Sequence, residues 1–571
     1  MKGLFFTTIF SFVLLLCSCN RDIEILAEPG PEIGNGIESY YELKLGRSIT
    51  LAPTIANADD ATYLWSIDGR TVGSSPSYTF QAEEVGTFYV DFAVTTPNGS
   101  DQTTYRVEVL ALAPPVVALY GRNGVYEVEA GVRTQIVAHT GGGKAEKYSW
   151  KIDGEEHGTG ESFFVEFENI GTHNLTLLAS NEDGQSEATT TLSVVEHLTG
   201  SVRFPAPLVS AEIYEAGSQK AYRNIPLGQS IALAPTIENF RTPSFEWSIA
   251  GEVVASSEVL LFTPENIGRH DVQVTVRDED GYSLSATVEV ECCDAEGTFR
   301  RSATEASTEK WNKLYEYIPA AGQFINEDKS GFDVVTTHAQ AVAYAEGRLK
   351  AGDYVSLGGW GGSLVAGFDH SISNDEGADF VIKGNTHEGS SEPAIVWVMQ
   401  DVNGNGQPDD VWYELRGSEY DAATSLRRYA VTYFRPVAEQ MSVVWSDNRG
   451  SAGKIERMSQ HTQPSYYPLW IPAESFTLYG SLIAPNTSQD AAGNFKNNPY
   501  AWGYADNAGE NSLASDAQSC SFDIANAVRD DGEPMPLAYI DFVKVQCAIN
   551  STSGPLGEVS TEIVDIYEVQ R

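Results

Sequence analysis

The densest group of chemically capable side chains lies in an insert at residues 401–410, which reads DVNGNGQPDD. Side-chain oxygens recur on alternate residues, and two glycines allow the chain to bend sharply. A hard cation such as Ca²⁺ needs several oxygen ligands and a chain of this kind. We expect a structural calcium ion here, and the predicted metal ligands are Asp401, Asn403, Asn405, Asp409 and Asp410.

The same insert has an alternative interpretation as a plain hairpin connection. Asn403-Gly404 and Asn405-Gly406 are dipeptides typical of tight turns. An EF-hand is ruled out, because Trp412 occupies the twelfth position, where that motif carries a bidentate carboxylate. Three aspartates within ten residues repel one another, which favours a cation between them.

Aromatic residues beside the insert and in two later loops predict a binding surface. An inward face formed by Val411 and Tyr413 leaves Trp412 pointing outward. The loops 465–471 and 497–507 combine Tyr and Trp with Asn, Pro and Gly, a composition typical of binding surfaces. Packing beneath long loops is the alternative. The predicted ligand-binding residues are Trp412, Tyr466, Tyr467, Trp470, Tyr500 and Trp502.

Catalytic motifs are missing from the sequence. It contains no G-x-S-x-G and no H-E-x-x-H, and His387-Glu388 lacks the second histidine of a zinc motif. We therefore predict no catalytic residues and no enzymatic activity. A glycosidase is the least favoured alternative, because 79 acidic residues always supply carboxylate pairs.

The length and charge of the chain restrict its architecture and its partners. A chain of 571 residues is too long for one core and predicts several domains. Its formal net charge is −43, from 36 basic and 79 acidic residues. A field of that sign repels nucleic acid, so no nucleic-acid partner is expected.

The N-terminus has the features of a targeting segment. Lys2 precedes a short apolar run that is too short to span a membrane. Leu16-Cys17-Ser18-Cys19 resembles a bacterial lipobox, which implies a signal peptide at 1–18 and lipidation of Cys19. If Cys19 is lipidated, residues 19–37 form a tether and the lipid anchors the chain to a membrane. An ordinary secretory signal is the alternative.

Three internal repeats follow the tether. Trp65, Trp150 and Trp247 are each followed 21 residues later by a glycine, and 13 residues after that by another. We assign the repeats to 38–112, 113–197 and 198–293. A tryptophan of this kind fits the buried anchor between the sheets of a β-sandwich. The W-x-I-D-G motif and the later Asn/Asp-Gly turns resemble PKD-type immunoglobulin-like domains, which implies a role as spacers.

The remaining segment, 294–571, has a different pattern. Most of it alternates apolar and polar residues at period two, and its one good helical pattern covers 338–349. About ten strands in this length predict a larger, jelly-roll-like β-sandwich that binds the ligand. The whole chain is therefore predicted to be all-β, with three immunoglobulin-like sandwiches in tandem before the larger domain.

Several phrases of this last domain also carry a family resemblance: GGWGGSLVAGF (358–368), GADFVIKGN (377–385), the insert with WYELRGSEY, GYADN (503–507), FDIAN (522–526), IDFVKV (540–545) and GEVSTE (557–562). Together they resemble surface lipoproteins of Gram-negative gut bacteria that have PKD-like modules. Members of that group are similar to auxiliary proteins that bind cobalamin beside outer-membrane uptake transporters.

The resemblance implies a lipid-anchored protein of the outer membrane, exposed at the cell surface, that captures cobalamin for a TonB-dependent transporter. A glycan-binding or adhesive surface lipoprotein is the alternative. The two hypotheses predict different sites. Cobalamin needs a deep aromatic cleft with neutral polar rims, whereas a glycan needs a shallow platform with two coplanar aromatic rings.

Overall fold

A computed structural model describes residues 28–34, 39–120, 125–215 and 221–570. The described residues are nearly all in strands and connections, and the chain separates into two compact units, one ending at Leu112 and the other beginning at Ala113. No helix among the described residues is long and apolar enough to cross a membrane. The prediction of an all-β chain with immunoglobulin-like sandwiches in tandem is confirmed.

Each repeat contributes nine strands. The first contains β1 (Glu32–Ile33), β2 (Tyr40–Lys44), β3 (Ser48–Leu51), β4 (Ile55–Ala56), β5 (Thr62–Ile67), β6 (Arg70–Gly73), β7 (Tyr78–Gln81), β8 (Gly86–Thr96) and β9 (Gly99–Leu110). The second contains β10 (Pro115–Ala118), β11 (Val125–Glu129), β12 (Thr134–Val137), β13 (His139–Gly142), β14 (Lys147–Ile152), β15 (Glu155–Gly158), β16 (Ser162–Val165), β17 (Gly171–Asn181) and β18 (Gly184–Val195). The third contains β19 (Ser201–Arg203), helix α1 (Val209–Tyr214), β20 (Ala221–Pro226), β21 (Ile231–Leu233), β22 (Thr236–Glu238), β23 (Ser244–Ile249), β24 (Glu252–Ala255), β25 (Leu260–Phe262), β26 (Gly268–Arg277) and β27 (Ser283–Cys293).

The three repeats have the same topology. Each has a five-stranded sheet, ordered β2-β9-β8-β5-β6, β11-β18-β17-β14-β15 and β20-β27-β26-β23-β24, in which the first two strands pair in parallel. Two short antiparallel pairs complete each sandwich.

The tryptophan that recurs in each repeat is the anchor of its sandwich. Trp65, Trp150 and Trp247 are each fully buried. Each indole Nε1 donates a 2.8 Å hydrogen bond to the carbonyl oxygen ten residues later, on Ser75, Gly160 and Ser257 respectively. The indole therefore fills the core without leaving its polar atom unpaired.

The last domain has eighteen further strands. They are β28 (Lys313–Ile318), β29 (Val355–Ser356), β30 (Ser363–Ser373), β31 (Phe380–Lys383), β32 (Ala394–Met399), β33 (Tyr413–Leu415), β34 (Leu426–Phe434), β35 (Val443–Asp447), β36 (Ala452–Ile455), β37 (Ser475–Leu482), β38 (Thr487–Gln489), β39 (Phe495–Asn497), β40 (Ser512–Leu513), β41 (Asp516–Phe522), β42 (Ala527–Val528), β43 (Tyr539–Cys547), β44 (Glu562–Ile563) and β45 (Asp565–Glu568). Helix α2 (His338–Ala351) and short 3₁₀ turns at Ile524–Asn526 and Gly554–Leu556 lie between them.

A six-stranded sheet, ordered β28-β30-β43-β32-β33-β42, is the centre of this domain. Two four-stranded sheets, β36-β35-β34-β37 and β40-β41-β31-β45, share one hydrophobic core with it. Helix α2 was expected from its apolar pattern; Thr337 caps its start and Gly352 ends it in the left-handed conformation.

The second repeat packs directly on the last domain. The amide of Ser442 donates to the carbonyl of Thr140 at 2.6 Å, and Gly141 forms an isolated bridge with Met441. His139 is fully buried, and its Nδ1 lies 2.8 Å from the carbonyl oxygen of Ser442. Main-chain hydrogen bonds thus join β13 of the second repeat to residues 441–442 of the last domain.

The third repeat packs on the last domain as well. Buried Glu316 accepts hydrogen bonds from the amides of Val209 and Ser210 at the start of α1. Asn448 donates to the carbonyl of Ile237 at 3.1 Å. A role as simple spacers therefore does not describe the second and third repeats, because both form part of the same compact body as the last domain.

Candidate ligand-binding site

The insert predicted from its spacing connects β32 to β33. The two strands pair antiparallel through Trp397 with Glu414 and Val398 with Tyr413, so the hairpin connection is present. Within the insert, Asn403 Oδ1 accepts from the amide of Asn405 at 3.0 Å, and Asn405 Oδ1 accepts from the amide of Gln407 at 2.7 Å. These contacts fold the loop tightly around its own side chains.

Asp401 is buried in the insert, at 3% exposure. Its Oδ2 accepts from the amide of Gly406 at 2.9 Å, while its Oδ1 has no hydrogen-bond partner. Burial raises the pKa of Asp401. A buried carboxylate oxygen without a partner is costly unless a proton or a cation satisfies it.

The two later aspartates contact the third repeat. Tyr222 donates to Asp409 Oδ2 at 3.3 Å, and Asn224 donates to Asp410 Oδ1 at 2.8 Å. Asp410 Oδ2 also accepts from the amide of Val402, and burial raises the pKa of Asp410 to about 8. Asp410 thus ties the third repeat to the insert, and its role as a metal ligand stays a prediction.

The predicted carboxylates of the insert do not converge on one point. Among the described residues, only Glu392, Asp506 and Glu562 form a set of three or more such groups whose ligand atoms all lie within 4.8 Å of one another. Asp401, Asp409 and Asp410 form no such set. A cation in the insert therefore has to use side-chain oxygens of asparagine and main-chain carbonyl oxygens in addition to carboxylates.

The acidic cluster of Glu392, Asp506 and Glu562 was missed from the sequence. Asp506 is fully buried and accepts from the amides of Asn385, Thr386 and Glu562. Burial and mutual repulsion raise the pKa of Asp506 and of Glu392, and burial raises that of Glu562 to about 7. The three residues are far apart in sequence, so spacing gave no signal for the cluster.

Three of the predicted ligand-binding aromatics belong to the core, and their assignment is wrong. Tyr466 and Tyr467 are fully buried, and Trp470 is 4% exposed. The Trp470 ring lies 4.9 Å from the ring of Phe332, and Tyr467 donates to the carbonyl of Ala473. Their loop packs beneath the surface, as the alternative interpretation expected, so these rings cannot stack on a ligand.

Tyr500 and Trp502 are half-buried, and neither lines the two interdomain cavities described below. The Tyr500 ring packs 5.5 Å from the ring of Tyr504, and its hydroxyl donates to the carbonyl of Ala484. These contacts belong to a small satellite core rather than to a binding surface.

Trp412 is a predicted aromatic that does line a cavity. The predicted faces of its strand are correct, because Tyr413 and Leu415 pack in the core while Trp412 is half-buried on the other side. Its Nε1 donates to the carbonyl of Pro207 at 2.9 Å. Trp412 lines a cavity of about 160 Å³ between the third repeat and the last domain.

A larger groove of about 590 Å³ lies where the second repeat, the third repeat and the last domain meet. Its aromatic lining residues are Tyr120, Tyr126, Phe434, Phe476 and Tyr479. Its neutral polar lining residues are Thr134, Gln135, Thr199, Ser201, Thr236, Asn239, Thr432, Ser446, Asn448, Ser451, Ser475 and Thr477. The charged lining residues are Glu127, Arg203, Glu212, Glu238 and Asp447. This volume is typical of small-molecule sites.

The floor of this groove is one face of the sheet that contains β34 and β37. Thr432 pairs with Thr477, and their hydroxyl oxygens lie 2.8 Å apart. One wall comes from the second repeat, where the Tyr120 ring lies 4.4 Å from the ring of Phe434. The period-two pattern of these strands was visible in the sequence, but the repeat that covers them was not.

Cys19, the predicted lipidation residue, lies outside the described residues. The four cysteines that the structure describes, Cys292, Cys293, Cys520 and Cys547, are all unpaired.

Comparison with known protein families identifies the type of domain that the first repeat resembles. Residues 31–96 match the family model of the PKD-like domain. The match supports the expected immunoglobulin-like repeats and covers the first of them. No curated protein sequence matches the chain.

Solved structures of immunoglobulin-like arrays are similar to parts of this chain. A three-domain I-band fragment of titin matches 47% of this chain and 99% of its own length, at 15% identity and a TM-score of 0.23. Sidekick-1 immunoglobulin domains 1–5 match 46% of this chain and 59% of that chain, at 13% identity and 0.25. Fibronectin(III)-like modules of Clostridium thermocellum CbhA match 29% and 92%, at 14% identity and 0.19.

Proposed function

We propose that this chain is a lipid-anchored cell-surface binding protein that captures a bulky nutrient for an outer-membrane transporter, with cobalamin as the candidate ligand. The observation that supports the proposal is the 590 Å³ groove at the junction of three modules. Aromatic walls and a mainly neutral polar lining suit a large, partly apolar ligand. A flat glycan platform is the alternative. Three of the six aromatics predicted to bind a ligand, Tyr466, Tyr467 and Trp470, are buried in the core and contribute to neither kind of site.

The test is a titration of the full mature chain with cyanocobalamin and with a panel of glycans. We expect saturable binding of cyanocobalamin and none of the glycans. Thr477→Phe places a ring on the groove floor and should abolish binding. Thr176→Phe is the matched control, because Thr176 forms a similar cross-strand pair with Thr189 outside the groove.

The outcomes separate the candidate functions. Glycan binding without cobalamin binding favours the glycan-binding alternative, and turnover of any glycan supports a glycosidase. Equal loss of binding in both threonine variants contradicts the assignment to the groove.

We also propose that the insert binds a structural Ca²⁺ through ligands drawn from Asp401, Asn403, Asn405, Asp409 and Asp410. The buried, unpaired Oδ1 of Asp401 supports this, because a cation satisfies it without a proton. Added CaCl₂ should raise the melting temperature of the wild-type chain and leave Asp401→Ala unchanged. Asp490→Ala is the matched control, since Asp490 also accepts amide hydrogen bonds in a turn, from Ala492 and Asn494. If calcium shifts no melting temperature, the insert is a hairpin connection alone.

A further inference from the structure

The smaller cavity beside Trp412 differs in charge from the rest of the chain. It lies between the third repeat and the six-stranded sheet and has a volume of about 160 Å³. Five cationic side chains line it, against four acidic ones, although the whole chain has 36 basic and 79 acidic residues. The cations are Arg223, Arg427, Arg428, Arg529 and Lys544.

The sheet itself carries the central cation of this cavity. Lys544 on β43 pairs with Trp397 on β32, and Trp397 pairs with Glu414 on β33. These side chains therefore lie in one row on the sheet face that the third repeat covers. A lone lysine inside the apolar strand YIDFVKVQC is the signal that the sequence offered for this row.

The ammonium group of Lys544 lacks a polar partner. Lys544 is 8% exposed, and its Nζ forms no hydrogen bond and no ion pair with any residue that the structure describes. The Nζ lies 4.9 Å from the ring centre of Trp397 and 5.6 Å from that of Trp412. Burial lowers the pKa of Lys544 to about 8, so it carries its charge at neutral pH.

The charges of Glu316 and Glu414 partly oppose the lowering of the Lys544 pKa, and both carboxylates also accept hydrogen bonds from other groups. Glu414 accepts from the hydroxyl of Ser481 at 2.6 Å, and Glu316, in the same row, accepts from two amides of the third repeat. Asp410 accepts from Asn224 and from the amide of Val402. Of the other acids that line the cavity, Glu212 accepts from the amide of Ala206, and Asp530 interacts through its charge with Arg428 and Arg223. A buried charge between aromatic rings, with its hydrogen-bond donors unused, is costly unless an anion completes its shell.

We propose that this cavity binds a small carboxylate with a flat apolar body, whose carboxylate pairs with Lys544 and whose body packs on Trp412. The volume corresponds to roughly ten water-sized positions, and thus to a ligand with about ten non-hydrogen atoms. The cavity shares Glu212, Thr236 and Tyr479 with the larger groove but takes a ligand of a different size and charge.

The test uses phenylacetate as the ligand and phenylacetamide as its neutral counterpart, with the full mature chain, calorimetry and tryptophan fluorescence. We expect phenylacetate to bind with a dissociation constant between about 1 µM and 1 mM. The amide should bind at least about tenfold more weakly, since it lacks the charge-assisted contact.

Variants of Lys544 locate the site. Lys544→Met should weaken phenylacetate binding about tenfold or more, whereas Lys544→Arg keeps the charge and should retain binding. Lys313→Met is the matched control, because Lys313 is an exposed lysine whose Nζ lies 3.9 Å from the ring centre of Tyr315. Far-UV circular dichroism checks that each variant is folded.

Three results overturn the proposal. One is the lack of saturable phenylacetate binding up to about 10 mM. Another is equal affinity for the amide and the acid. The third is unchanged binding by a folded Lys544→Met protein.

Discussion

The pentapeptide Leu-Ala-Pro-Thr-Ile occurs in the first and third repeats, at 51–55 and 233–237, and has a different environment in each. In the first repeat, Leu51 points into the core, while Ala52 and Thr54 are exposed. In the third repeat, the first four residues of the same pentapeptide are all buried, because this segment packs against the last domain.

The difference shows which part of a module's structure its own sequence determines. Inward apolar residues and the tryptophan anchor specify the sandwich, and Leu51 with Trp65 and Leu233 with Trp247 are buried in both repeats. The outward face is polar or small in both, so its composition does not reveal whether another domain covers it. Burial of the third repeat depends on its partner surface rather than on its own pattern.

The largest expected effect comes from removing an anchor in each repeat. Trp65→Ala and Trp247→Ala should each cost about 3–5 kcal/mol, because both indoles are fully buried. In hydrogen exchange followed by mass spectrometry, Trp65→Ala should open β2–β9. Trp247→Ala should open β19–β27 and also β32–β33, on which the third repeat rests. Protection of β32–β33 in Trp247→Ala would contradict the docking.

The stability of the chain should depend on pH through Glu414, which lies on the sheet face that the third repeat covers. Burial raises the pKa of Glu414 from its usual value near 4.5 to about 7. Its protonated form therefore contributes stability that is complete below pH 4.5 and is lost as the pH rises through about 7. Between pH 5 and pH 8, this titration should lower the free energy of unfolding of the wild type by up to about 3 kcal/mol. Glu414→Gln has no such titrating group, so its free energy of unfolding should lack this decrease. Parallel pH profiles from urea unfolding would contradict this.

Equivalent alanines of the shared pentapeptide offer a direct contrast. Ala234→Arg should destabilise by about 2 kcal/mol, because it forces a long charged side chain into a packed face. Ala52→Arg should change stability by less than about 0.5 kcal/mol, because Ala52 is exposed. Urea midpoints measure both, and equal effects would refute the contrast.

A smaller effect is expected at the tie between the third repeat and the insert. Asn224→Ala leaves Asp410 Oδ1 without its donor and should cost about 1–2 kcal/mol. The corresponding strand position of the first repeat is Glu42, which is exposed. Glu42→Ala should be nearly neutral in the same thermal melts. If Asn224→Ala leaves the melting temperature unchanged, the insert does not contribute to the docking of the third repeat.

The sequence predicted the modules better than it predicted the site. Trp65, Trp150 and Trp247 set a spacing that fixes three sandwiches, because each anchor acts within its own repeat. Trp412 was placed on the correct face by simple alternation. Tyr466, Tyr467 and Trp470 were misassigned, since a loop rich in aromatics has the same composition whether it is buried or exposed. The groove and the Lys544 cavity need contacts between modules far apart in sequence, which no local pattern encodes.

Cysteine labelling tests the central claim most directly. The claim is that the third repeat is part of the binding body and buries Ala234, whereas the equivalent Ala52 of the first repeat is exposed. Ala52→Cys and Ala234→Cys place a thiol at equivalent positions of the shared pentapeptide. In the folded full-length chain, Cys introduced at position 52 should react with a maleimide at least about a hundredfold faster than Cys introduced at position 234, because docking shields the latter. Equal labelling rates in the folded proteins would contradict the account.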